Sequence, residues 1–258
     1  MIRSYRELYQ YREVLFNFAS QELKVKYKGS FLGFLWSLLN PLLTMSVTSI
    51  IFANILRFEL NDFVVFVFSG LLPWGFIAGS LEGSANSIIN AEGYIKKVYL
   101  PKMIFPVSNV ISNFINMFFS MFALFLILCF MGYNPKSALY FLPVSLIITF
   151  LMTIGFGLIL STLTVFFRDM KYIVGVILSA LYYLTAILFP IDVVPEPYSL
   201  FISYNPFYYF VMLFREPIYY GNLPSLNTIS ICLGITVVTL VFGTLMFNKN
   251  QDKFVYRL

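Results

Sequence analysis

Hydrophobic positions along the chain fall in long unbroken runs. Residues 29–56, 63–81, 103–135, 137–167, 172–191 and 217–248 contain no Asp, Glu, Lys or Arg. About 20 apolar residues carry a helix across a bilayer core, so the pattern predicts an all-α, polytopic membrane protein with six transmembrane helices. The segments between the runs are too short for an independent soluble lobe. Residues 1–258 therefore read as a single membrane domain, with a cytoplasmic interface helix in 1–30, the six-helix bundle in 31–247 and a cytoplasmic tail in 248–258. A further uncharged stretch, Pro197 to Phe214, is interrupted by Pro206, and residues 190–227 hold six of the twelve prolines. Proline breaks helices, so this region reads as short external helices that dip into the membrane surface or re-enter it.

Polar positions define the ends. Ser4-Tyr5-Arg6-Glu7 matches a capping box and predicts a helix start. After it, Leu8, Tyr11, Leu15, Phe18 and Val25 follow helical spacing, while Arg6, Glu13, Asn17, Ser20 and Lys24 fall elsewhere around the axis. That is an amphipathic helix lying in the interface, either a plain anchor or one whose polar face, with Arg6, Glu13 and Lys24, docks a cytoplasmic partner. Between the second and third runs, Ser84 to Pro106 sets Ile88, Ile89, Ile95, Val98 and Tyr99 beside Glu92, Lys96, Lys97 and Lys102. It reads as a short amphipathic helix projecting from the bundle, or as an ordinary basic loop. Arg168-Asp169-Met170-Lys171 forms a tight charged turn in which Asp169 is a natural cap for the fifth helix.

Composition and charge then narrow the class. Of 258 residues 59% are hydrophobic and 11% charged, with mean hydropathy +0.82, which excludes a water-solvated globule. Fourteen of the seventeen basic residues flank one side of the runs, and only Arg57, Lys136 and Arg215 fall on the other. Basic loops stay cytoplasmic, so both termini are expected inside, in the inner membrane. Cys129 and Cys232 sit within apolar runs as small core residues, and with no histidine a metal site is not expected. The first residues lack the pattern of a cleavable signal peptide. No nucleic-acid partner is expected.

Within the runs, Ser37, Asn40, Thr44 and Thr48 share one helical face, which suits either helix packing or a polar path. Gly75, Gly79 and Gly83 recur every fourth residue and permit close helix approach. No acidic or basic residue lies mid-span, which disfavours a carrier coupled to protons or sodium through buried carboxylates. No Gly-Lys dipeptide occurs, so the phosphate-cradling loop of nucleotide hydrolases is missing. Active transport would need a second chain to hydrolyse ATP, and a membrane-embedded glycan-modifying enzyme would lack acid, base or metal ligands. Ten aromatic residues between Tyr198 and Tyr220, including Tyr204 and Tyr208, are joined by Tyr182 and Tyr183. They form either an interfacial belt or rings that stack on sugars.

The motifs Glu22-Leu-Lys-Val-Lys-Tyr27, Leu32-Gly-Phe-Leu-Trp36 with Asn40-Pro41, Gly70-Leu-Leu-Pro-Trp74, Ile95-Lys-Lys-Val-Tyr-Leu-Pro101 with Pro106, Phe166-Phe-Arg-Asp169, Asn205-Pro206 and Phe214-Arg215 occur in one order. Together they resemble the ABC-2 type permease subunits that export lipid-linked polysaccharide, among them O-antigen, capsule and teichoic acid exporters. Two departures stand out, since that family often has Arg-Asp where Gln21-Glu22 stands and a proline near Ala186. The resemblance implies a homodimer of six-helix subunits driven by two cytoplasmic ATP-binding subunits, with ATP and Mg bound by those partners and no cofactor in this chain. It implies a coupling helix around Ile88 to Val98, so that Ile88, Glu92, Tyr94, Lys96 and Lys97 meet the ATPase, with Arg168 and Asp169 nearby. It also places Ser37, Asn40, Thr44, Tyr182, Tyr183, Tyr204 and Tyr208 toward the polymer. An exporter of small molecules, drugs or peptides in the same superfamily is the alternative expectation.

Overall fold

The computed structural model describes residues 2–26, 28–56, 60–130 and 137–258. The chain forms helices α1 (Ile2–Gln10), α2 (Arg12–Lys26), α3 (Trp36–Leu56), α4 (Leu60–Asn90), α5 (Glu92–Ile95), α6 (Ile104–Phe130), α7 (Leu142–Phe166), α8 (Met170–Leu184), α9 (Tyr198–Tyr204), α10 (Pro206–Arg215) and α11 (Leu226–Asn250). The protein is all-α, with no strand among the described residues. Each charge-free run carries one of α3, α4, α6, α7, α8 and α11. Among the described residues, four helices are long and apolar enough to cross a membrane, and Leu42–Phe52 and Met170–Leu184 are apolar but shorter. This is a multi-pass membrane protein.

α4 is the central rod, packed against α3, α6, α7, α8 and α10, while α7 and α11 make the closest pair. That closeness depends on Gly155, where a Cβ would meet the Thr239 carbonyl carbon at 2.5 Å, and on Gly243, whose Cβ would run into the Gly155 carbonyl oxygen. The mid-chain glycines behave differently from one another. Gly79 and Gly83 lie under the side chains of Asn113 and Asn109 on α6, while Gly75 faces open space. Thr48 bonds back to the Thr44 carbonyl at 2.7 Å rather than to a neighbouring helix. Cys232 is buried as expected, but Cys129 faces outward from α6.

The proline-rich segment packs into the bundle. α10 inserts among α4, α7 and α11, burying Phe207, Phe210, Phe214 and Arg215. The chain leaves α8 at Leu184 because Ala186 adopts φ +49°, a left-handed conformation that ends the helix. The carbonyls freed by that break cannot be left bare in an apolar setting. Asn205, at the start of α10, donates to Leu184 O at 3.0 Å and to Thr185 Oγ1 at 2.9 Å while accepting from Phe207 N. Arg215, at the end of α10, donates through Nη1 to Ala186 O and through Nη2 to Ile187 O, both at 2.9 Å. Its guanidinium lies 4.0 Å over the Phe66 ring, and its Nη2 would be 2.6 Å from a Cβ at Gly70, so only glycine leaves it room there.

Arg215, counted above among the three basic residues of the opposite side, is 2% exposed and fastens a broken helix instead of lying on a surface. The other two residues of that count, Arg57 and Lys136, lie outside the described residues. Replacing Arg215 by Met should orphan two buried carbonyls at about 1–3 kcal/mol each, lowering the melting temperature and the yield of purified protein. Arg215→Lys should recover only part of the loss, because an ammonium cannot span both acceptors as the planar fork does. A wild-type melting curve for Arg215→Met would refute this role.

Candidate functional site

Segments from both ends of the chain and from its middle meet on one face of the bundle. Ser4 Oγ donates to Asn248 Oδ1 at 2.9 Å, and the Tyr5 hydroxyl bonds Thr244 Oγ1 at 2.8 Å, fixing α1 to the end of α11. The chain after α11 turns back so that Phe254 is fully buried against Phe247 and Phe166. The Phe18 ring on α2 meets Tyr94 of α5 edge-on at 5.2 Å and Phe105 of α6 at 5.3 Å. Lys96 Nζ bonds Glu92 Oε1 at 2.6 Å. That bond and the lysine's charge hold the Glu92 carboxyl below its ordinary range, and the Arg168 guanidinium acts in the same direction. The turn after α7 thus shares the α5 surface.

Several expectations change here. α1 begins at Ile2, so Ser4 sits inside the helix and bonds across to α11 in place of capping. Val25 is 61% exposed and lies outside the packed face formed by Leu8, Leu15, Ala19 and Phe18. The helix expected over Ile88 to Val98 is only Glu92–Ile95, because α4 runs on to Asn90 before bending at Ala91. Ile88 is consequently a fully buried residue of α4 and presents nothing to a partner. Asp169 occupies the residue before α8, but its carboxylate caps nothing. Its backbone carbonyl accepts from Tyr172 and Ile173 instead, and the side chain faces outward beside Arg168. Arg6, Glu13, Lys24, Lys96 and Lys97 are exposed on this face, and Tyr94 is half-exposed.

Two flanks of α4 are grooved. On one, a cleft of about 710 Å³ runs between α2, α4 and α6, lined by Glu22, Glu82, Asn86, Asn90, Asn109, Asn113 and Asn116 among others. It adjoins a second chamber of about 520 Å³ toward α3, which shares Lys26, Asn113 and Asn116 and adds Trp36, Asn40 and Ser120. On the other flank, a groove of about 490 Å³ between α4 and α8 holds Trp74, Glu82, Ser179, Tyr182 and Tyr183. The expected pathway residues are therefore divided. Asn40 lines the α3 chamber, and Tyr182 and Tyr183 line the α8 groove, with Tyr182 6.2 Å from Trp74. Thr44 is exposed but lines neither cavity, and the Ser37 side chain lies outside the described residues. Tyr204, 83% exposed, ends α9, and Tyr208 packs half-buried against Tyr209, so both lie away from these grooves.

The asparagine stripe of α6 was not anticipated. Asn109, Asn113 and Asn116 recur at helical spacing within a run that a search for charges reads as uniformly inert. Asn109 Nδ2 donates to Glu22 Oε2 at 3.1 Å, and Asn113 Nδ2 bonds Asn109 at both its carbonyl and its Oδ1. Burial pushes the Glu22 carboxyl up to about 7, against the lowering effect of its bonds to Asn109 and Ser108. The folded protein then holds this proton more tightly than the unfolded chain, whose carboxyl titrates near 4.5. Stability contributed by Glu22 is present at acid pH and lost as pH rises toward about 7. Glu22→Gln should flatten the fall in melting temperature between about pH 5 and 7. An unchanged slope would exclude Glu22 as its source.

Comparison with known proteins sets this geometry in context. The chain is 32% identical over 98% of both lengths to the O-antigen export system permease protein RfbA of Myxococcus xanthus. It is 32% identical to the RfbA protein of Klebsiella pneumoniae over 94% of this chain and 93% of that one. It is 23% identical to the polysialic acid transport protein KpsM of Escherichia coli over 90% of this chain and 91% of that one. The sequence model of the family described as ABC-2 type transporter matches residues 13–219, from α2 to the turn after α10. The chain belongs to the ABC-2 type transporter family.

Proposed function

We propose that this protein is the membrane-spanning permease subunit of an ABC transporter that exports lipid-linked polysaccharide, O-antigen foremost, across the inner membrane. The observation that carries this reading is the full-length similarity to permeases named for O-antigen export. The structure fits it physically. The grooves are walled by amides, hydroxyls and aromatic rings, which suit a hydroxylated polymer better than a bare ion. In this reading α3, α4, α6, α7, α8 and α11 cross the membrane, α9 and α10 lie at the outer side, and the face holding α1, α2 and α5 is cytoplasmic, since basic residues collect there. Two copies pair so that α3 and α8 border the path.

The energy comes from two separate ATP-binding subunits, which hold ATP and Mg. Lys96, Lys97, Arg168 and Tyr94 meet them, and α1–α2 moves with α5 because Phe18 joins the two. This subunit transmits motion and performs no bond chemistry.

Deleting the gene should remove surface polysaccharide while lipid-attached glycan accumulates inside the cell, measured by surface labelling and by extraction. Loss of surface glycan without internal accumulation would defeat the reading. The double variant Lys96→Glu, Lys97→Glu should cut export at least about tenfold, as the charge presented to the partner is reversed. Wild-type export from that strain would remove α5 as the coupling element. Tyr182→Ala with Tyr183→Ala should slow export several-fold while complex assembly persists, and normal export would take both rings off the path.

A further inference from the structure

We infer that the cleft between α2, α4 and α6, continued by the adjoining chamber toward α3, is a binding site for uncharged sugar units, distinct from the path between α3 and α8. The inference rests on the export reading above and adds where the glycan is held before it moves. Polar residues at membrane depth are costly and are kept for packing or for ligands. Packing over Gly83 and Gly79 of α4 accommodates Asn109 and Asn113 but does not account for Asn116 or for the open space in front of Gly75. Among the described residues, the hydrogen bonds of Asn109 and Asn113 run to Glu22 and along α6 itself, and none joins the stripe to α4. Gly79 and Gly83 stand opposite, where a larger residue would fill the space the asparagine side chains occupy. Asn116 Oδ1 is buried with no hydrogen-bond partner where the two chambers meet.

The chemistry selects the ligand. Each side-chain amide offers two donors and an acceptor, which matches vicinal hydroxyls, and Phe18, Tyr94, Phe76 and Trp36 supply rings for the apolar faces of pyranoses. The volumes, about 710 and 520 Å³, lie in the range of about 300–1,000 Å³ usual for small-ligand sites. The charge balance argues against the diphosphate of a lipid carrier, because among the described residues lining the cleft one cation, Lys26, stands beside the acids Glu82 and Glu22, the second of them partly neutral near pH 7. An anion would meet acidic side chains where a sugar hydroxyl meets hydrogen-bond partners.

The test uses the permease purified with its ATP-binding partner in lipid nanodiscs. The probe is an oligosaccharide of one to three repeat units released by mild acid from the host's surface polysaccharide. Binding is followed by calorimetry and saturation-transfer NMR, with inorganic pyrophosphate as competitor. The wild-type complex should bind the oligosaccharide, and pyrophosphate should not displace it. Asn113→Leu with Asn116→Leu should weaken binding about tenfold, as expected for two lost hydrogen bonds. Gly75→Leu gives an independent check: a Cβ there meets nothing within 4 Å, so the added side chain starts from open space and grows into the chamber. It too should weaken binding in a complex that elutes as a single species. Unchanged affinity in both variants, or displacement by pyrophosphate, overturns the site. A wild-type complex that binds no oligosaccharide, in a strain whose deletion still accumulates internal glycan, overturns the site and leaves the export reading in place.

Discussion

A chain that stops and restarts helices inside an apolar medium must find partners for every backbone carbonyl it frees. Here that demand falls on the break after α8, where Ala186 turns left-handed and exposes the 184–187 carbonyls. α10 meets it from both of its ends, with Asn205 at its start and Arg215 at its finish. A lysine would satisfy one acceptor and a neutral residue neither, so the bidentate cation is the side chain the geometry calls for. Its charge is dispersed over two carbonyl dipoles and the face of Phe66, which is how an arginine can be buried without a carboxylate beside it.

The rest of the bundle takes its positions from that fastening. With α10 wedged against α4, Phe207 reaches Trp74 at 6.1 Å and Phe156 at 5.7 Å. Trp74 in turn packs Tyr182 of α8, so the short fifth apolar helix is held laterally by an aromatic chain and at its end by hydrogen bonds. This leaves much of α8 uncovered: Tyr172, Ile173, Val176, Ile177 and Tyr183 are all exposed. In the proposed dimer that uncovered surface faces the path or the second copy.

The sequence disclosed what depends on composition over many residues. Charge-free runs located α3, α4, α6, α7, α8 and α11, and six prolines located the broken segment. It could not disclose what depends on where a single side chain ends up. Arg215 looks like a loop cation because it follows an apolar run, and only the fold reveals carbonyls within its reach. Ile88 looks like the apolar face of a projecting helix because Ala91, where α4 bends, carries no helix-breaking signal. Ser4 imitates a cap because the capping box is a local pattern, while its partner Asn248 is 244 residues away. The asparagines of α6 were passed over because a filter for ionisable groups does not register amides, although their spacing was already visible.

α4 joins these features mechanically. It is a rod of 31 residues, about 46 Å at 1.5 Å per residue, followed by a break at Ala91 before α5 and carrying Pro73 inside it. Its end near Glu82 lies between the two grooved flanks, and Glu82 lines both the α6 cleft and the α8 groove. A movement of this part of α4 therefore alters the lining of both grooves at once. Pro73 removes the hydrogen bond that would tie it to Ser69, beside the turn where Gly70 accommodates Arg215. Pro73 thus sits between the part of α4 that is fastened through Gly70 to Arg215 and the part that borders both grooves, and it is the point inside the rod where the helix is least restrained by its own hydrogen bonds.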